Sequence, residues 1–371
     1  MKVAFWAAAM LVAYSYFGYP LILWLWCRIR PRPTKRAQIV PSVSVIMAVR
    51  NEASTLQAKL RNLATLDYPK EKLEVVVVSD GSTDETVPIL RAHASEALKL
   101  IANNVARGKA AALNDAFREA HGELVVFTDA RQKLAPNALH RLVASFADPT
   151  VGCVSGELMF SDESGSVGTG LGLYWALEKK IRRMEAVVSS TIGATGAFYA
   201  VRRNLIRELP AGTLLDDVFI PCQVIRQGYR VLFEPDAIAW DRVAPDAVVE
   251  FRRKVRTLTG NYQLIRILPW LLVPGYPVWF QFVSHKLTRL AVPFALAVCL
   301  VASATMPGAL YRNAFFAQLT GYTFATVALL LPRLGPLSRF GSVARTFLLL
   351  NVAAAVAFVN FLRHKEEVWT R

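Results

Sequence analysis

The sequence predicts an α/β domain with a mostly parallel sheet, flanked by apolar helices that enter a membrane. Two segments predict the sheet, because VSVIMAV at 43–49 and LEVVVVSD at 73–80 are rich in valine and each precedes a helix-like pattern. Strands that are apolar on both faces are buried on both faces, and strands alternating with helices form mostly parallel sheets. Long apolar runs near both ends of the chain predict the membrane helices.

The first element is an uncharged apolar run at residues 3–27, which is long enough to cross a bilayer and carries Tyr and Trp as interfacial anchors. A cleaved signal peptide is the alternative, but the run exceeds a usual signal core and no small-residue cleavage site precedes the next segment. That segment, RIRPRPTKR at 28–36, is strongly basic. The positive-inside rule therefore places it in the cytoplasm, together with residues 40–260.

Alternating elements follow the first strand. Leu56, Leu60 and Leu63 recur at helical spacing before the second strand. Further predicted elements are a helix after Asp84, a strand at 98–102, a helix at 108–120 and a strand at 123–127. Ligands of such sheets bind beyond the carboxyl ends of the strands, where Asp80 and Asp129 fall.

The residue composition changes in the C-terminal part of the chain. Residues 264–290 mix aromatic residues and prolines with basic residues, which is typical of helices that lie in the membrane interface. Membrane spans are predicted at 290–306, 313–331 and 346–362. The connection containing Arg333, Arg339 and Arg345 is expected in the cytoplasm. Three spans would place the tail outside, whereas its charge favours the inside, and both arrangements stay open.

Composition narrows the class of protein. The 43 Lys and Arg against 28 Asp and Glu give a net charge of +15, which suits nucleic acid, an anionic membrane or a phosphorylated substrate. A hydrophobic fraction of 54% favours the membrane. No basic stripe with interleaved aromatic residues occurs in the soluble part, so no nucleic-acid partner is expected. The four cysteines lack CxxC spacing and the five histidines are scattered, so neither disulfides nor a zinc site is predicted.

Three motifs carry candidate chemistry, namely AVRNE with SDGSTDET, RGKAAALNDA, and FTDARQ. Each has an ordinary explanation when taken singly, because Asp84 and Asp129 are good helix caps and Lys109 can be a solvated helix start. A carboxylate at the sheet edge can instead hold a divalent cation that bridges a diphosphate, and nearby cations can bind the phosphates. The motifs together are far more specific than any one of them.

In set, order and spacing the motifs resemble the inverting family 2 glycosyltransferases with the GT-A fold. The membrane-embedded relatives of hyaluronan, cellulose and poly-N-acetylglucosamine synthases are the most similar. The resemblance covers residues 41–262 through motifs, and the flanking helices in layout. It implies a Rossmann-like, mostly parallel GT-A domain flanked by transmembrane and interfacial helices.

The resemblance also implies a donor site. Ala48, Glu52 and Asp80 match the pocket for the base and ribose of a nucleotide sugar, and Lys109 matches a lysine near the donor phosphates. Asp129 matches the first carboxylate of the DxD motif, which contacts the sugar nucleotide and its metal, Mg2+ or Mn2+. This chain has Arg131 where the second carboxylate usually stands, so Arg131 is expected to meet the diphosphate or the sugar directly.

The catalytic base is implied by a later motif. LLDDVFIP resembles the element whose last acidic residue is the general base, which assigns that role to Asp217. Asp216 adjoins it and is expected either near the acceptor or as a helix cap. GATGAFYAVRR resembles the loop and strand that line the sugar and acceptor pocket, with Gly196 allowing close backbone approach.

A basic helix follows. FRRKVRTLTGN aligns with the QxxRW element, but this chain has Arg253 for the Gln and Thr257 for the Trp, while Arg256 is retained. Arg253 and Arg256 lie three apart on one helical face and are expected to bind the donor and neutralise the leaving diphosphate. Binding of lipid headgroups is the alternative role. The missing Trp, which helps to bind the acceptor sugar in family members, argues against a processive polymerase.

The predicted organisation is a transmembrane helix at 1–28, a basic linker at 29–40, the GT-A domain at 41–262, interfacial helices at 263–289 and a transmembrane region at 290–371. The expected location is the inner membrane of the cell, with several crossings and the catalytic domain in the cytoplasm. The expected partners are a nucleotide-sugar donor, a glycan or lipid-linked acceptor and membrane lipids.

The functional hypothesis is an inverting glycosyltransferase of polysaccharide biosynthesis, with a UDP-sugar as the expected donor. Two alternatives stay open. One is a non-processive enzyme that glycosylates a polyprenyl phosphate or another lipid. The other is an inactive homologue that acts as a scaffold in a polysaccharide export complex, an alternative left open by Arg131 and Thr257.

Overall fold

The structure is a computed structural model that describes residues 1–160, 169–242, 247–331 and 337–363. Arg333 of the predicted cytoplasmic connection and the tail after residue 363 lie outside these ranges. Arg339 and Arg345, which the sequence places in the same connection, instead belong to a helix that begins at Ser338. The helix therefore begins within the segment that the sequence assigned to the connection.

The helices and strands alternate as expected. The helices are α1 Lys2–Ile29, α2 Ala53–Ala64, α3 Thr86–Ala92, α4 Lys109–Arg118, α5 Ala138–Val143, α6 Thr169–Val188, α7 Asp216–Arg226, α8 Ala247–Ile267, α9 Trp279–Thr305, α10 Ala309–Leu330 and α11 Ser338–Leu362. The strands are β1 Val43–Val49, β2 Leu73–Asp80, β3 Leu98–Asn103, β4 Leu124–Thr128, β5 Lys133–Leu134, β6 Val151–Phe160, β7 Phe198–Arg202 and β8 Arg230–Asp241. Short 3-10 turns lie at Lys70–Lys72, Ala144–Ala147, Arg203–Leu205 and Pro269–Leu272.

The strands form one mixed sheet in the order β3-β2-β1-β4-β7-β6-β8-β5. Its first four strands are parallel, and β6 also runs parallel to β8. β7 is antiparallel to both β4 and β6, and β5 is antiparallel to β8. The predicted mostly parallel α/β sheet is therefore confirmed. The parallel strands β1, β2 and β4 direct their carboxyl ends to one edge, where the polar loops gather.

The described residues fall into two compact units. The sheet unit holds residues 32–160 and 185–242, and the helical unit holds 1–31, 169–184, 247–331 and 337–363. The core of the sheet unit is built from the apolar strands and from the apolar faces of α2 and α5. Helix α8 belongs to the helical unit although the sequence placed most of it in the 41–262 domain, because Tyr262 packs against Phe358 and Phe361 of α11.

Three helices of the helical unit are long and apolar enough to cross a membrane, namely α1, α9 and α11. The span predicted at 290–306 is part of a longer helix that begins at Trp279. The span predicted at 313–331 corresponds to α10, a helix that is not among these three. Polar residues such as Arg312 and Gln318 lower its hydropathy.

A polar seam joins α1 and α9 inside the helical unit. Each helix contains one π-helical stretch, Tyr14–Gly18 in α1 and Phe282–Leu287 in α9. The Tyr14 hydroxyl donates to Ser284 Oγ at 2.7 Å, and the Tyr19 ring stacks on His285. Ordinary α-helical turns would space these residues differently, so the two irregular stretches set the register of the contact.

Candidate active site

Lys109 brings together two acidic residues that are far apart in the sequence. It is the first residue of α4, and its ammonium Nζ lies 3.2 Å from Asp129 Oδ1 and 3.3 Å from Asp216 Oδ1. Asp129 follows β4, while Asp216 begins α7. The structure therefore gathers three predicted site residues at the carboxyl edge of the sheet, with Asp217 next to them in the chain.

Asp80 fixes the start of α4. Its buried carboxylate, at the end of β2, accepts hydrogen bonds from the backbone N–H groups of Arg107 and Gly108, both at 2.8 Å. The next residue, Gly81, has a φ of +66°, and a Cβ there would come within 2.5 Å of the Ala106 backbone nitrogen. Only glycine allows this close approach. Asp80 thus holds the loop that delivers Lys109, and its predicted role in nucleotide binding stays a prediction.

The ends of β1 and β2 are tied together by short polar contacts. The backbone N–H of Glu52 donates to Thr86 Oγ1 at 2.9 Å, and the N–H of Ala53 donates to Asp84 Oδ2 at 3.1 Å. Ala48 is the buried, penultimate residue of β1, beside this junction. Ala48 and Glu52 therefore lie at the same sheet edge as Asp80, as the predicted base and ribose pocket requires, although their contact with a nucleotide stays a prediction.

Three cationic side chains act on the Asp129 carboxylate. Burial by itself would raise the pKa of this carboxyl group, but Lys109, Arg131 and Lys59 outweigh that effect and hold the pKa below its ordinary value. The side chain is 38% exposed and so remains open to a ligand. Asp129 is therefore ionised at neutral pH, and it is the most accessible carboxylate of the Lys109 cluster.

Lys59 was not predicted from the sequence. It lies on the buried face of α2 with Leu56, Leu60 and Leu63. The sequence carries one signal for Lys59, since a lysine falls within an apolar stripe at helical spacing. A cation in such a buried position needs polar partners, which points to a specific role.

Arg131 is directed to β8. Its guanidinium pairs with Asp241 Oδ2 at 3.0 Å, and the same oxygen accepts a hydrogen bond from Gln132 Nε2 at 3.0 Å. Asp241, the last residue of β8, is a second residue that sequence reasoning missed, since only tertiary structure brings it to this loop. The predicted contact of Arg131 with the donor stays a prediction.

The loop before β7 is built around Asp217. The backbone N–H of Ala194 donates to the Asp217 carbonyl at 2.6 Å, and a Cβ on Gly196 would come within 2.8 Å of Asp217 Oδ2. A side chain at position 196 would therefore displace the Asp217 carboxylate from this position. This contact places the predicted base beside the loop that the sequence assigned to the acceptor pocket.

Tyr199 shows that the carboxylates converge. It is fully buried in β7 and stacks on Phe127 with ring centroids 4.4 Å apart. Burial first, and then Asp216, Asp217 and Asp129, raise the pKa of its hydroxyl well above the ordinary value. Within the described part of the chain this hydroxyl has no hydrogen-bond partner. Sequence reasoning missed Tyr199, because it reads as an ordinary strand residue.

A methyl group at position 196 is expected to displace the Asp217 carboxylate. In Gly196→Ala we expect kcat to fall by about 10-fold to 100-fold, because a shift of about 1 Å in a catalytic group can cost that much. The thermal midpoint should change little. Steady-state kinetics with Gly321→Ala as the control, a position where a Cβ meets nothing within 4 Å, would check this. Unchanged kcat in Gly196→Ala would contradict the placement of Asp217 in catalysis.

A resident metal site of protein ligands does not fit these residues. Among the described residues there is no group of three or more His, Cys, Asp or Glu side chains that could hold a metal ion. Asp129 offers one accessible carboxylate, and Lys109 is its nearest cation. A single carboxylate suits a divalent ion that reaches the site with substrate phosphates as further ligands.

Arg253 and Arg256 lie on α8, within the helical unit. The helix predicted for this segment is present, and the two residues lie three apart along it. Their roles toward the donor and the leaving diphosphate stay predictions.

Comparison with protein-family models matches residues 44–209 to the model described as Glycosyl transferase family 2. This chain carries a family 2 glycosyltransferase domain. The matched residues include Asp80, Lys109, Asp129 and Gly196, whereas the Asp216–Asp217 pair follows them. The predicted family and its GT-A fold are therefore confirmed.

Curated relatives of this chain include two bacterial proteins. This chain is 26% identical over 250 residues to the probable glycosyltransferase YdaM of Bacillus subtilis (strain 168), and the match covers 63% of this chain and 59% of that protein. It is 24% identical over 234 residues to a poly-beta-1,6-N-acetyl-D-glucosamine synthase of Staphylococcus epidermidis, covering 62% of this chain and 56% of that protein. The chain thus spans less than two thirds of these relatives.

A solved structure resembles nearly the whole chain. It is the mannosyltransferase PcManGT from Pyrobaculum calidifontis in complex with GDP-Man and Mn2+, with a TM-score of 0.73 and 29% sequence identity. The similarity covers 96% of this chain and 98% of that one. Both the sheet and the flanking helices therefore have a counterpart in one known glycosyltransferase.

Proposed function

We propose that this protein is a membrane-anchored, inverting glycosyltransferase that moves a sugar from a nucleoside diphosphate sugar to a hydroxyl of a glycan or lipid-linked acceptor. The observation that carries the proposal is the bridge from Lys109 to Asp129 and Asp216 at the carboxyl edge of the sheet, with Asp217 next in the chain. A cation between carboxylates at this edge suits a diphosphate, and the adjoining acid suits proton removal.

The donor would bind with its diphosphate near Lys109 and its base near Ala48, Glu52 and Asp80. The Lys109 ammonium is preorganised by Asp80, which fixes the preceding backbone, so it needs little rearrangement to stabilise charge on the leaving group. Arg253 and Arg256 are proposed to assist with the same charge. As the bond from the anomeric carbon to the diphosphate oxygen breaks, a nucleoside diphosphate departs.

Asp217 is proposed as the base. It would take the proton of the acceptor hydroxyl while that oxygen attacks the anomeric carbon from the face opposite the diphosphate, which inverts the centre in one displacement. Gly196 leaves room for the carboxylate, and Asp216 is engaged with Lys109 and is thereby separated from this task. We assign Asp216 to orienting Lys109 at the start of α7.

A divalent ion, Mg2+ or Mn2+, would be held by Asp129 together with the donor phosphates, and it would neutralise charge on the leaving diphosphate. The Mn2+ in the PcManGT complex supports this proposal. The residues present supply only one accessible carboxylate, so we expect the ion to bind with the donor and weakly without it.

Chelation is therefore expected to remove most of the transfer activity. Added Mn2+ or Mg2+ should restore it, and Asp129→Asn should raise the ion concentration needed for half of the maximal rate by about 10-fold, since a charged ligand is replaced by a neutral one. Activity as a function of ion concentration would check this. Asp67→Asn, an exposed position, is the control. Equal ion requirements in Asp129→Asn and the control would contradict the assignment.

Two donors are candidates. The sequence resemblance favours a UDP-sugar. The similarity to PcManGT, which was solved with GDP-Man and extends over 96% of this chain, favours GDP-mannose as the second candidate. A lipid that offers a hydroxyl is the acceptor we favour over a growing polymer, because Thr257 stands where polymer synthases have Trp. A polyprenyl phosphate stays an alternative acceptor, and its ionised phosphate oxygen would attack without a base.

The proposed location is the inner membrane of the cell, with the sheet unit in the cytoplasm. The three helices α1, α9 and α11 could cross a membrane, and the basic segment 28–36 after α1 favours the cytoplasmic side by the positive-inside rule.

The test is a donor screen with the purified chain in detergent and Mn2+ or Mg2+. UDP-glucose, UDP-N-acetylglucosamine and GDP-mannose would each be supplied with membrane lipid extract, and released nucleotide and product mass would be measured. One added sugar on a lipid supports the proposal in its lipid form, and a ladder of products supports a polymer acceptor. Absence of transfer from every donor would contradict the function and favour a scaffold.

A further inference from the structure

Lys59 is a buried cation beneath the candidate donor site. Its side chain is 2% exposed, although it lies on the apolar face of α2 between Leu56 and Leu60. Its ammonium Nζ donates to Thr128 Oγ1 and to the Gln132 carbonyl, both at 2.8 Å. Burying an ammonium group without polar partners costs on the order of several kcal/mol. The position is therefore specific for a cation with directed hydrogen bonds.

The two acceptors of Lys59 bracket the loop that carries Asp129 and Arg131. Thr128 is the last residue of β4 and Gln132 immediately precedes β5. One ammonium thus ties both ends of this loop to α2. The loop cannot shift without breaking a buried, charge-assisted hydrogen bond.

Thr128 extends the connection to the loop beside the proposed base. Its hydroxyl accepts from Lys59 and donates to the Ala197 carbonyl at 3.0 Å. Ala197 follows Gly196, whose Cα faces Asp217. A continuous path of hydrogen bonds therefore runs from Lys59 to both functional loops of the site.

We propose that Lys59 is a positioning residue for the donor diphosphate, which fixes the Asp129–Arg131 loop and, when protonated, supplies positive charge behind it. The inference rests on the proposed function, since it needs a diphosphate to bind at this loop. Lys59 itself does not contact the substrate in this proposal.

The charge of Lys59 depends on pH in the range of enzyme assays. Burial lowers its pKa to about 7, and Asp129 opposes that shift in part. Other charged groups around the loop are Lys109 and Arg131, which face Asp129, and Asp241, which pairs with Arg131. We expect donor binding to weaken as pH rises through about 7, because Lys59 then loses its proton and its charge.

Stability should respond in the opposite direction. The folded pKa of about 7 lies below the value of 10.5 for a free lysine, so the unfolded chain binds more protons between these two values. The contribution of Lys59 to stability therefore rises with pH across this window and is lost as pH falls through about 7. If Lys59 had only a structural role, activity would follow stability as the pH changes. If Lys59 positions the diphosphate, donor binding should weaken with rising pH while the stability of the fold increases.

The experiment uses the full chain in detergent with the donor found in the screen. Lys59→Met and Lys59→Arg would be compared with the wild type and with Lys70→Met, an exposed lysine whose ammonium also donates to a backbone carbonyl. The donor KM, kcat and thermal midpoint would be measured from about pH 6 to about pH 9, which brackets the Lys59 pKa. The wild type should show a donor KM that rises above pH 7.

Lys59→Met should raise the donor KM by about 10-fold at low pH, as expected for loss of a charged hydrogen-bonding group, and should abolish the pH effect. Lys59→Arg should keep a low KM at high pH, because arginine stays protonated. Lys70→Met should match the wild type.

A wild-type-like KM and pH profile in Lys59→Met would overturn the inference while leaving the transferase function intact. If Lys59→Met does not fold, a rise in KM with pH in Lys59→Arg equal to that of the wild type would overturn it. A wild type without transfer from any donor would overturn the proposed function, and this inference with it.

Discussion

Asp217→Asn should abolish glycosyl transfer while leaving donor binding intact. The amide keeps the shape of the carboxylate but cannot accept the proton of the acceptor hydroxyl, and loss of a general base lowers rates by about 10²-fold to 10⁴-fold. The Gly196 backbone that faces Asp217 Oδ2 accommodates an amide of the same size, so the fold should be retained. Transfer kinetics and equilibrium binding of the nucleoside diphosphate would check this.

Asp216→Asn is the matched comparison, because it alters the adjacent carboxylate. Asp216 pairs with Lys109, so its loss should affect the donor KM more than kcat. If both variants lowered kcat equally, or if Asp217→Asn turned over like the wild type, Asp217 would not be the base.

Lys109→Met should produce the second large effect, a fall in kcat/KM of about 10²-fold to 10³-fold, as is typical when one preorganised charge at a transition state is removed. The substitution also leaves Asp129 and Asp216 without the cation between them, and their negative charges would then repel the donor diphosphate. Binding of UDP and of GDP should weaken together with turnover, since Lys109 is proposed to contact the same diphosphate in binding and in the reaction.

The control is Lys99→Met. Lys99 also pairs with a carboxylate, Glu119, but on the exposed surface of the sheet unit. Exposed pairs contribute about 0–1 kcal/mol, so this variant should keep its activity and its thermal midpoint. Comparable losses in both variants would mean that Lys109 acts only through the net charge of the protein.

The buried strands were the most predictable part of the fold. The strands predicted at 43–49 and 73–80 have those bounds in the structure, because a run of valines and isoleucines leaves little choice of strand or of burial. The helix predicted at 108–120 is slightly shorter, at Lys109–Arg118. Local patterns determine such elements, and their ends depend on capping contacts.

The candidate site was predictable in its residue types but not in its pairings. Asp129 and Lys109 follow from motifs, whereas the position of one lysine between Asp129 and Asp216 depends on how β4, α4 and α7 pack. Lys59 and Asp241 were missed for the same reason, since their partners are distant in sequence. The helical unit was less predictable, because hydropathy shows that a segment is apolar without showing where an interfacial helix continues into a span.

The π-helical stretch in α1 makes the length of that helix as important as its composition. Its N-terminal half is oriented by Phe5, which packs against Tyr311, and its C-terminal half by Tyr19, which stacks on His285. Deleting one residue from Tyr14–Gly18 would rotate one half against the other by about 100°, the angle of a single α-helical residue. Both aromatic contacts could not then persist together. Insertions and deletions, rather than substitutions, are the changes that this helix should tolerate least.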